Sequence, residues 1–272
     1  MKISKRYVWM TLILATLVLV SSSVGIFVNG IYAREAPSWA LLGIAQDIAN
    51  VVAVVVLVIA VFFVSRESLR GLLVWIGVLL FLIYAFVIYT FDVHFNSLFL
   101  LYVAILGLSV YTFLGGVMRL NFDALQNCFP AKTKVTPAVS IFLMVSALLF
   151  YFLWLSEDVP ALLSGSVPAS VTEAVIPTNP VHVLDLGIYL PAIIVTSVSL
   201  WKRKALGYAF AVPLLVFITL TGCGILIMDF LVSAAGVPVS SGQEAFVAAL
   251  VVVSLVLSWI YLRATKGTKI PD

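Results

Sequence analysis

Eight apolar stretches dominate this chain, and the segments between them alternate between carrying Lys or Arg and carrying almost none. The expected spans are approximately residues 7–29, 39–64, 71–91, 97–118, 137–156, 181–201, 206–232 and 245–262. A helix needs about 20 apolar residues to cross the hydrocarbon core of a bilayer. The sequence therefore predicts an all-α, polytopic membrane protein, in which residues 1–272 form one transmembrane domain, a bundle of eight helices.

The basic residues predict how the chain is oriented in the membrane. Of the 15 Lys and Arg residues, only Arg34 falls in a segment that the alternation assigns to the outer side. Short cytoplasmic loops are enriched in Lys and Arg, so we expect both termini in the cytoplasm and a multi-pass protein of the plasma membrane. Charged residues make up only 10% of the chain, against about 25% in soluble domains. The lipid bilayer is thus the expected partner, and no basic patch interleaved with aromatic residues predicts nucleic-acid binding.

The carboxylates show the opposite distribution. Of the 12 Asp and Glu residues, all but Glu67, Asp123 and Asp272 are expected toward the outer side. An acidic vestibule at a membrane surface attracts cations by electrostatic focusing. The expected ligand is therefore a cation, a proton or a small polar solute that binds at the outer face.

The second span carries three polar side chains in an otherwise Val-rich helix. Gln46 and Asn50 are four residues apart, and Gly43, Asp47 and Asn50 share one helical face. Because charge in the hydrocarbon region is costly, such residues face the bundle interior or a water-filled cavity. We interpret Gln46, Asp47 and Asn50 as candidate ligand-binding residues, with helix–helix hydrogen bonding as the structural alternative.

The sixth span opens with a helix-start signal followed by a His–Asp pair. Asn179 is a preferred N-cap residue, and Pro180 suits the first helical position. His182 and Asp185 follow on one helical face, where a hydrogen bond between them would fix the imidazole tautomer. Such a pair relays protons or ligates a metal. Anchoring of the helix start is the structural alternative.

Further candidate ligand-binding residues lie at the outer ends of neighbouring spans. His94 and Asn96 stand in the turn between spans three and four, and Glu157 closes span five. Asn96 is also suited to capping the fourth helix. The longest outer connection, approximately residues 157–180, has no Lys or Arg but contains apolar runs. We expect it to fold back over the outer end of the bundle.

No motif identifies a reaction, a cofactor or a protein partner, so whether the chain is an enzyme stays open. HExxH, GxSxG and Walker A patterns are absent. Two histidines exclude a three-histidine zinc site, but a mixed site of His94, His182 and carboxylates remains possible. Three functions remain: binding or transport of a cation, proton or small polar solute; a non-catalytic membrane partner or assembly subunit; and a metal-dependent intramembrane hydrolase.

Several stretches carry a family resemblance. They are residues 95–104 (FNSLFLLYVA), 154–163 (WLSEDVPALL), and 177–185 (PTNPVHVLD) followed by 201–208 (WKRKALGY). They resemble an uncharacterised family of prokaryotic multispanning integral membrane proteins, and the likeness runs across most of the chain. The resemblance implies a topology, with the motifs at the outer ends of spans four, five and six. It implies no reaction, because the family has no assigned activity.

Overall fold

The computed structural model describes residues 4–129, 134–265 and 269–270, and this part of the chain is helical without strands. Its helices are α1 (Lys5–Phe27), α2 (Pro37–Ser65), α3 (Leu69–Phe91), α4 (Phe99–Val117), α5 (Phe122–Asn127), α6 (Val135–Ser164), α7 (Ala169–Ala174), α8 (Pro180–Leu184), α9 (Leu190–Trp201), α10 (Ala205–Ala234) and α11 (Ser241–Arg263). A π-helical turn (Asp185–Tyr189) joins α8 to α9, and the three form one continuous span. Within these described ranges eight spans are long and apolar enough to cross a membrane, which confirms the predicted all-α, eight-helix polytopic protein.

The connections gather at two ends of the bundle. We call the end that carries residues 28–36, 92–98, 165–179 and 235–240 the acidic end, and the opposite end the basic end. Apart from Arg34, the Lys and Arg residues of the described segments lie at the basic end. Three basic residues of the predicted pattern lie outside the described residues: Lys2, Lys132 and Lys266.

Helices α3 and α10 form the centre of the bundle. Helix α3 is the most deeply buried span and packs against α2, α4 and α10. Helix α1 covers α2 and α4, and α11 lies along α10. Helix α6 packs closely along α9 but only sparsely against α10 and α11. This uneven packing leaves space beside α6.

Hydroxyl groups join the spans inside the bundle. Trp75 Nε1 donates to Thr11 Oγ1 at 3.0 Å, which ties α3 to α1. Ser140 and Ser197 exchange hydroxyl-to-carbonyl hydrogen bonds at 2.9 and 2.8 Å, which tie α6 to α9. Lipid tails are as apolar as the side chains, so such bonds and close packing of small residues hold membrane helices together.

The fifth span is longer than the sequence indicated. Helix α6 runs to Ser164 rather than to residue 156, with Pro160 inside it, so Glu157 lies in a helix and not in a loop. It ends at Gly165, whose φ of 67° is a left-handed conformation that glycine adopts without a Cβ penalty. The connection after it is partly buried as expected, because Val171 and neighbouring apolar residues around α7 pack against Trp39.

A widened turn interrupts the sixth span. Within Asp185–Tyr189 the backbone follows a π-helical path, and the N–H of Leu190 donates to the carbonyl of Asp185. The cause is Pro191, which has no N–H and whose ring would collide with a carbonyl of the preceding turn. The proline is thus accommodated by a π turn, a feature found frequently at functional sites.

The contact between the two central helices yields a test of the fold. A Cβ at Gly77 of α3 would lie 2.7 Å from the backbone oxygen of Pro213 and from Val216 Cβ on α10, whereas a Cβ at Gly107 of α4 would meet nothing within 4 Å. We expect Gly77→Ala to cost about 1–3 kcal/mol by overpacking. Gly107→Ala, the matched control, should leave stability unchanged or slightly raised. Thermal unfolding in detergent measures both, and equal unfolding temperatures for the two variants would contradict this packing.

Candidate functional site

A cavity of about 790 Å³ occupies the acidic-end half of the bundle. Its walls come from α2, α3, α6, α10, α11 and the span that contains the π turn. Apolar side chains form most of the lining, and the residues on α6 run from Ser146 to Trp154. The cavity therefore extends from near the middle of the bundle toward the acidic end.

The polar part of the lining consists of carboxylates and of uncharged polar side chains. Two carboxylates contribute to it, those of Glu35 and Asp185. Amide side chains come from Gln46, Asn179 and Gln243. Within the described ranges no Lys or Arg lines the cavity. The cavity is therefore electrostatically suited to a cation or a hydrogen-bond donor.

Trp154 connects the two predicted site residues of the sixth span. Its Nε1 donates to Asp185 Oδ2 at 2.8 Å, and its ring lies against the imidazole of His182 with centroids 4.4 Å apart. Tyr84 of α3 also interacts with the Asp185 carboxylate. Asp185 sits at the first position of the π turn and faces the cavity.

His182 is paired with α6 and not with Asp185. Its Nδ1 lies 3.0 Å from Asp158 Oδ1, and its Nε2 lies 3.9 Å from Glu157 Oε2. The predicted His182–Asp185 hydrogen bond is therefore wrong, because α6 presents Trp154 and Asp158 one helical turn apart to the start of α8. Glu157 also accepts a hydrogen bond from the Ser170 N–H at 2.9 Å, which anchors α7.

Asn179 caps the sixth span as predicted. Its Oδ1 accepts hydrogen bonds from the N–H groups of Val181 and His182 at 3.0 and 3.3 Å. Its Nδ2 donates to Ser170 Oγ at 3.1 Å. One side chain thus joins the helix start, the α7 segment and the cavity wall.

Asp47 is buried behind the cavity wall. Tyr32 donates to its Oδ2 at 2.6 Å and Tyr89 donates to its Oδ1 at 3.0 Å. Burial raises the pKa of the Tyr32 hydroxyl, so this group stays a donor. Gly25 of α1 packs directly against the carboxylate, where any Cβ would collide with it. Both oxygens of Asp47 therefore serve contacts among α1, α2 and α3.

The two amides of the second span bond to each other. Gln46 Nε2 donates to Asn50 Oδ1 at 3.0 Å. Gln46 lines the cavity, whereas Asn50 is fully buried. Among the described residues Asn50 Nδ2 has no hydrogen-bond partner. Asn50 thus orients Gln46 from behind the wall.

The connection before α2 is bound to the turn after α3 by several polar contacts at the cavity mouth. His94 places its N–H and its Nδ1 2.9 and 3.0 Å from the two oxygens of Glu35. Trp39 Nε1 donates to Asp92 Oδ2 at 2.9 Å. Asn96 Oδ1 accepts from the Leu98 N–H at 2.9 Å in the turn before α4, but the N-cap residue of α4 is Leu98, so the expected cap by Asn96 is wrong. His94 therefore holds the lining residue Glu35, whereas Asn96 lies outside the cavity lining.

The two histidines do not form a common metal site. In the described segments no group of three His, Cys, Asp or Glu side chains is arranged to hold a metal ion. His94 pairs with Glu35, and His182 pairs with Asp158. The two ring nitrogens of His182 point to opposite sides, so its neighbouring carboxylates cannot share one ion with it.

Sequence reasoning missed the aromatic part of the site. None of the residues expected from the sequence is aromatic, yet Tyr84, Tyr189 and Phe217 line the cavity and pack edge to face or stacked at 4.6–5.4 Å. The available signal was the position of Tyr84 and Tyr189 inside apolar spans rather than at their ends.

The eight spans and their internal cavity define a multi-pass integral membrane protein. No family model matches the chain, and no curated protein or solved structure matches it either. The resemblance to multispanning prokaryotic proteins thus stays a prediction, and function has to be inferred from the cavity.

Asp92 makes the mouth sensitive to pH. Burial, chiefly, and the nearby Glu35 raise the pKa of Asp92 to about 6, against the Trp39 hydrogen bond and His94, which lower it. A carboxyl group whose pKa is higher in the folded than in the unfolded protein binds a proton more tightly in the folded protein. The free energy of unfolding therefore increases as pH falls from about 7 to about 4. The Asp92→Asn variant should lose this pH-dependent contribution to the free energy of unfolding. Unfolding temperatures measured across this pH range test it, and parallel pH profiles for wild type and variant would contradict it.

Proposed function

We propose that the protein is a binding or transport protein for a cation, a proton or a small polar solute, which binds in the cavity near the acidic end. The observation that carries this proposal is the charge of the lining. Glu35 and Asp185 contribute carboxylates, and the described residues place no Lys or Arg there. Carboxylates in a low-dielectric cavity focus the field and concentrate cations.

The candidate residues divide into those that meet the ligand and those that support them. Asp185 supplies the charge that faces the ligand, and Gln46 supplies an amide beside it. His182 and Asp158 form a hydrogen-bonded pair behind Trp154, placed to exchange a proton with the acidic-end side. Asp47 stabilises the cavity wall and does not contact the ligand in this proposal. The set of ligand-binding residues is therefore smaller than the set expected from the sequence.

The alternative is a non-catalytic membrane partner or assembly subunit. It is favoured by the internal pairing of Asp47 with Tyr32 and Tyr89, which leaves that carboxylate no free oxygen. Under this alternative polar substitutions change stability but no binding. A metal-dependent hydrolase has less support, because the described residues bring together no three-ligand group.

The ligand-binding role of Asp185 is tested by calorimetric titration of protein in lipid nanodiscs with NaCl, KCl and methylammonium chloride. We expect Asp185→Asn to weaken binding of the cation that wild type binds by about 10-fold or more, since hydrogen bonds to charged groups contribute about 1.5–3 kcal/mol. Asp123→Asn, an exposed carboxylate at the basic end, is the control and should bind as wild type does. Undiminished binding by a folded Asp185→Asn protein would rule out this role.

We further propose that the protein resides in the plasma membrane with both termini in the cytoplasm, so that the acidic end faces outward. The supporting observation is that the Lys and Arg residues of the described segments, apart from Arg34, lie at the basic end. Short cytoplasmic loops are enriched in Lys and Arg.

Cysteine labelling tests this orientation. In a variant with Cys128 and Cys223 replaced by Ser, cysteines are introduced singly at the exposed positions Ser166 and Ser65, at the acidic and basic ends. A membrane-impermeant maleimide applied to intact cells should label Ser166→Cys at once and Ser65→Cys only after permeabilisation. The reverse pattern would invert the proposed topology.

A further inference from the structure

The cavity is larger and more apolar than a monatomic cation or a proton requires. Its volume of about 790 Å³ falls in the range of about 300–1,000 Å³ typical of organic-ligand sites. Around Asp185 lie an indole N–H and aromatic rings rather than the six or more oxygen atoms that hard metal cations prefer. The surroundings of this carboxylate therefore suit an organic group.

Aromatic side chains line much of the cavity, and three of them, Tyr84, Trp154 and Tyr189, lie around Asp185. Trp154 donates to the carboxylate, and Tyr84 packs against both Tyr189 and Phe217 with centroids 5.0 and 5.4 Å apart. Phe150 adjoins Trp154 at 5.8 Å. Aromatic faces beside a carboxylate are the environment that binds substituted ammonium groups by cation–π attraction.

An apolar compartment continues from this polar end toward the middle of the bundle. Ile218 and Ile225 of α10 and Leu250 of α11 line it. This part of the lining is mostly apolar, although the hydroxyl groups of Ser146 and Thr221 also belong to it. Its apolar side chains gain free energy by covering an alkyl chain. The cavity is thus polar and aromatic at one end and apolar at the other.

The cavity also reaches the lipid-facing surface beside α6. Leu149, Leu153 and Phe246 line the cavity and are at the same time 43%, 47% and 39% exposed. Helix α6 packs along α9, and helix α11 packs along α10. The contact between α6 and α11 is sparse. A molecule dissolved in the bilayer can therefore enter sideways between α6 and α11 without crossing the polar mouth.

We propose that the ligand is an amphipathic organic cation, an amine or quaternary ammonium with an alkyl or aryl tail, which enters from the bilayer and places its cationic group between Asp185 and the aromatic rings. The proposal rests on the cation-binding function inferred above and specifies its ligand class. An anionic headgroup is disfavoured, because the described lining offers two carboxylates and no Lys or Arg to it.

The test uses full-length protein in lipid nanodiscs, with protein-free nanodiscs subtracted to isolate saturable binding. The probes are tetramethylammonium, hexyltrimethylammonium and octyltrimethylammonium, with octanesulfonate and octyl glucoside as anionic and neutral amphiphiles. We expect affinity to rise at least 10-fold from tetramethylammonium to octyltrimethylammonium, since each buried CH₂ contributes about 0.8 kcal/mol. The anionic and neutral probes should bind at least 10-fold more weakly than the octyl cation.

Two variants locate the site. Asp185→Asn should weaken octyltrimethylammonium binding by about 10-fold or more. Phe150→Leu keeps an apolar side chain but removes a ring face, and it should weaken binding by about 2- to 5-fold. Phe91→Leu, at an exposed position, is the matched control and should leave affinity unchanged. If Asp185→Asn does not fold, Phe150→Leu against Phe91→Leu decides the location.

The outcomes separate this inference from the function on which it rests. Octanesulfonate or octyl glucoside binding as tightly as the octyl cation would overturn the cationic ligand class. Binding of Na⁺, K⁺, methylammonium or tetramethylammonium without a gain for longer tails would overturn the amphipathic class and leave cation binding standing. A folded protein that binds no cation of either panel would overturn both.

Discussion

In the hydrocarbon core no water is available to a carboxylate, so each intramembrane acid has to obtain hydrogen-bond donors from neighbouring parts of the chain. Asp47 obtains them from Tyr32, in the connection between α1 and α2, and from Tyr89, and Asp185 obtains one from Trp154. The bonds from Tyr89 and Trp154 also fix the helices that carry these two donors. Tyr89 joins α3 to α2, and Trp154 joins α6 to the π turn. The positions of the buried acids therefore determine which helices lie close together and on which side of α6 space is left.

The cavity follows from this unequal attachment. Helix α6 is bound to the sixth span at the acidic end by Trp154 and farther along by the reciprocal Ser140–Ser197 bonds. Helix α11 is bound instead to α10, where Thr219 and Ser254 lie 2.8 Å apart. Near the basic end Thr136 of α6 interacts with Tyr261 of α11, whereas toward the acidic end no hydrogen bond joins these two helices among the described residues. The cavity lies where two helices are each anchored to a different neighbour.

Hydropathy and charge predicted the eight spans, since both depend on composition along the chain and not on contacts between helices. The Gln46–Asn50 hydrogen bond and the Asn179 cap were predictable for a related reason, because both partners lie within one helical turn. The partners of His182 and Asp185 were not, because Asp158 and Trp154 belong to another helix. Helical periodicity identifies neighbours on one helix, but side-by-side packing decides which two helices meet. The aromatic lining escaped prediction for this same reason.

Asp47 and Asp185 show how one residue type takes two roles in one bundle. Asp47 stands in a regular helix with a tyrosine hydroxyl on each oxygen, so a ligand would have to break a bond to reach it. Asp185 stands at the first position of a π turn that Pro191 imposes, and it faces the cavity. Its donor Trp154 and the neighbouring Tyr84 are themselves part of the cavity wall. A backbone irregularity, a carboxylate and aromatic side chains therefore coincide at this one position of the cavity, which is where the proposed function places the ligand.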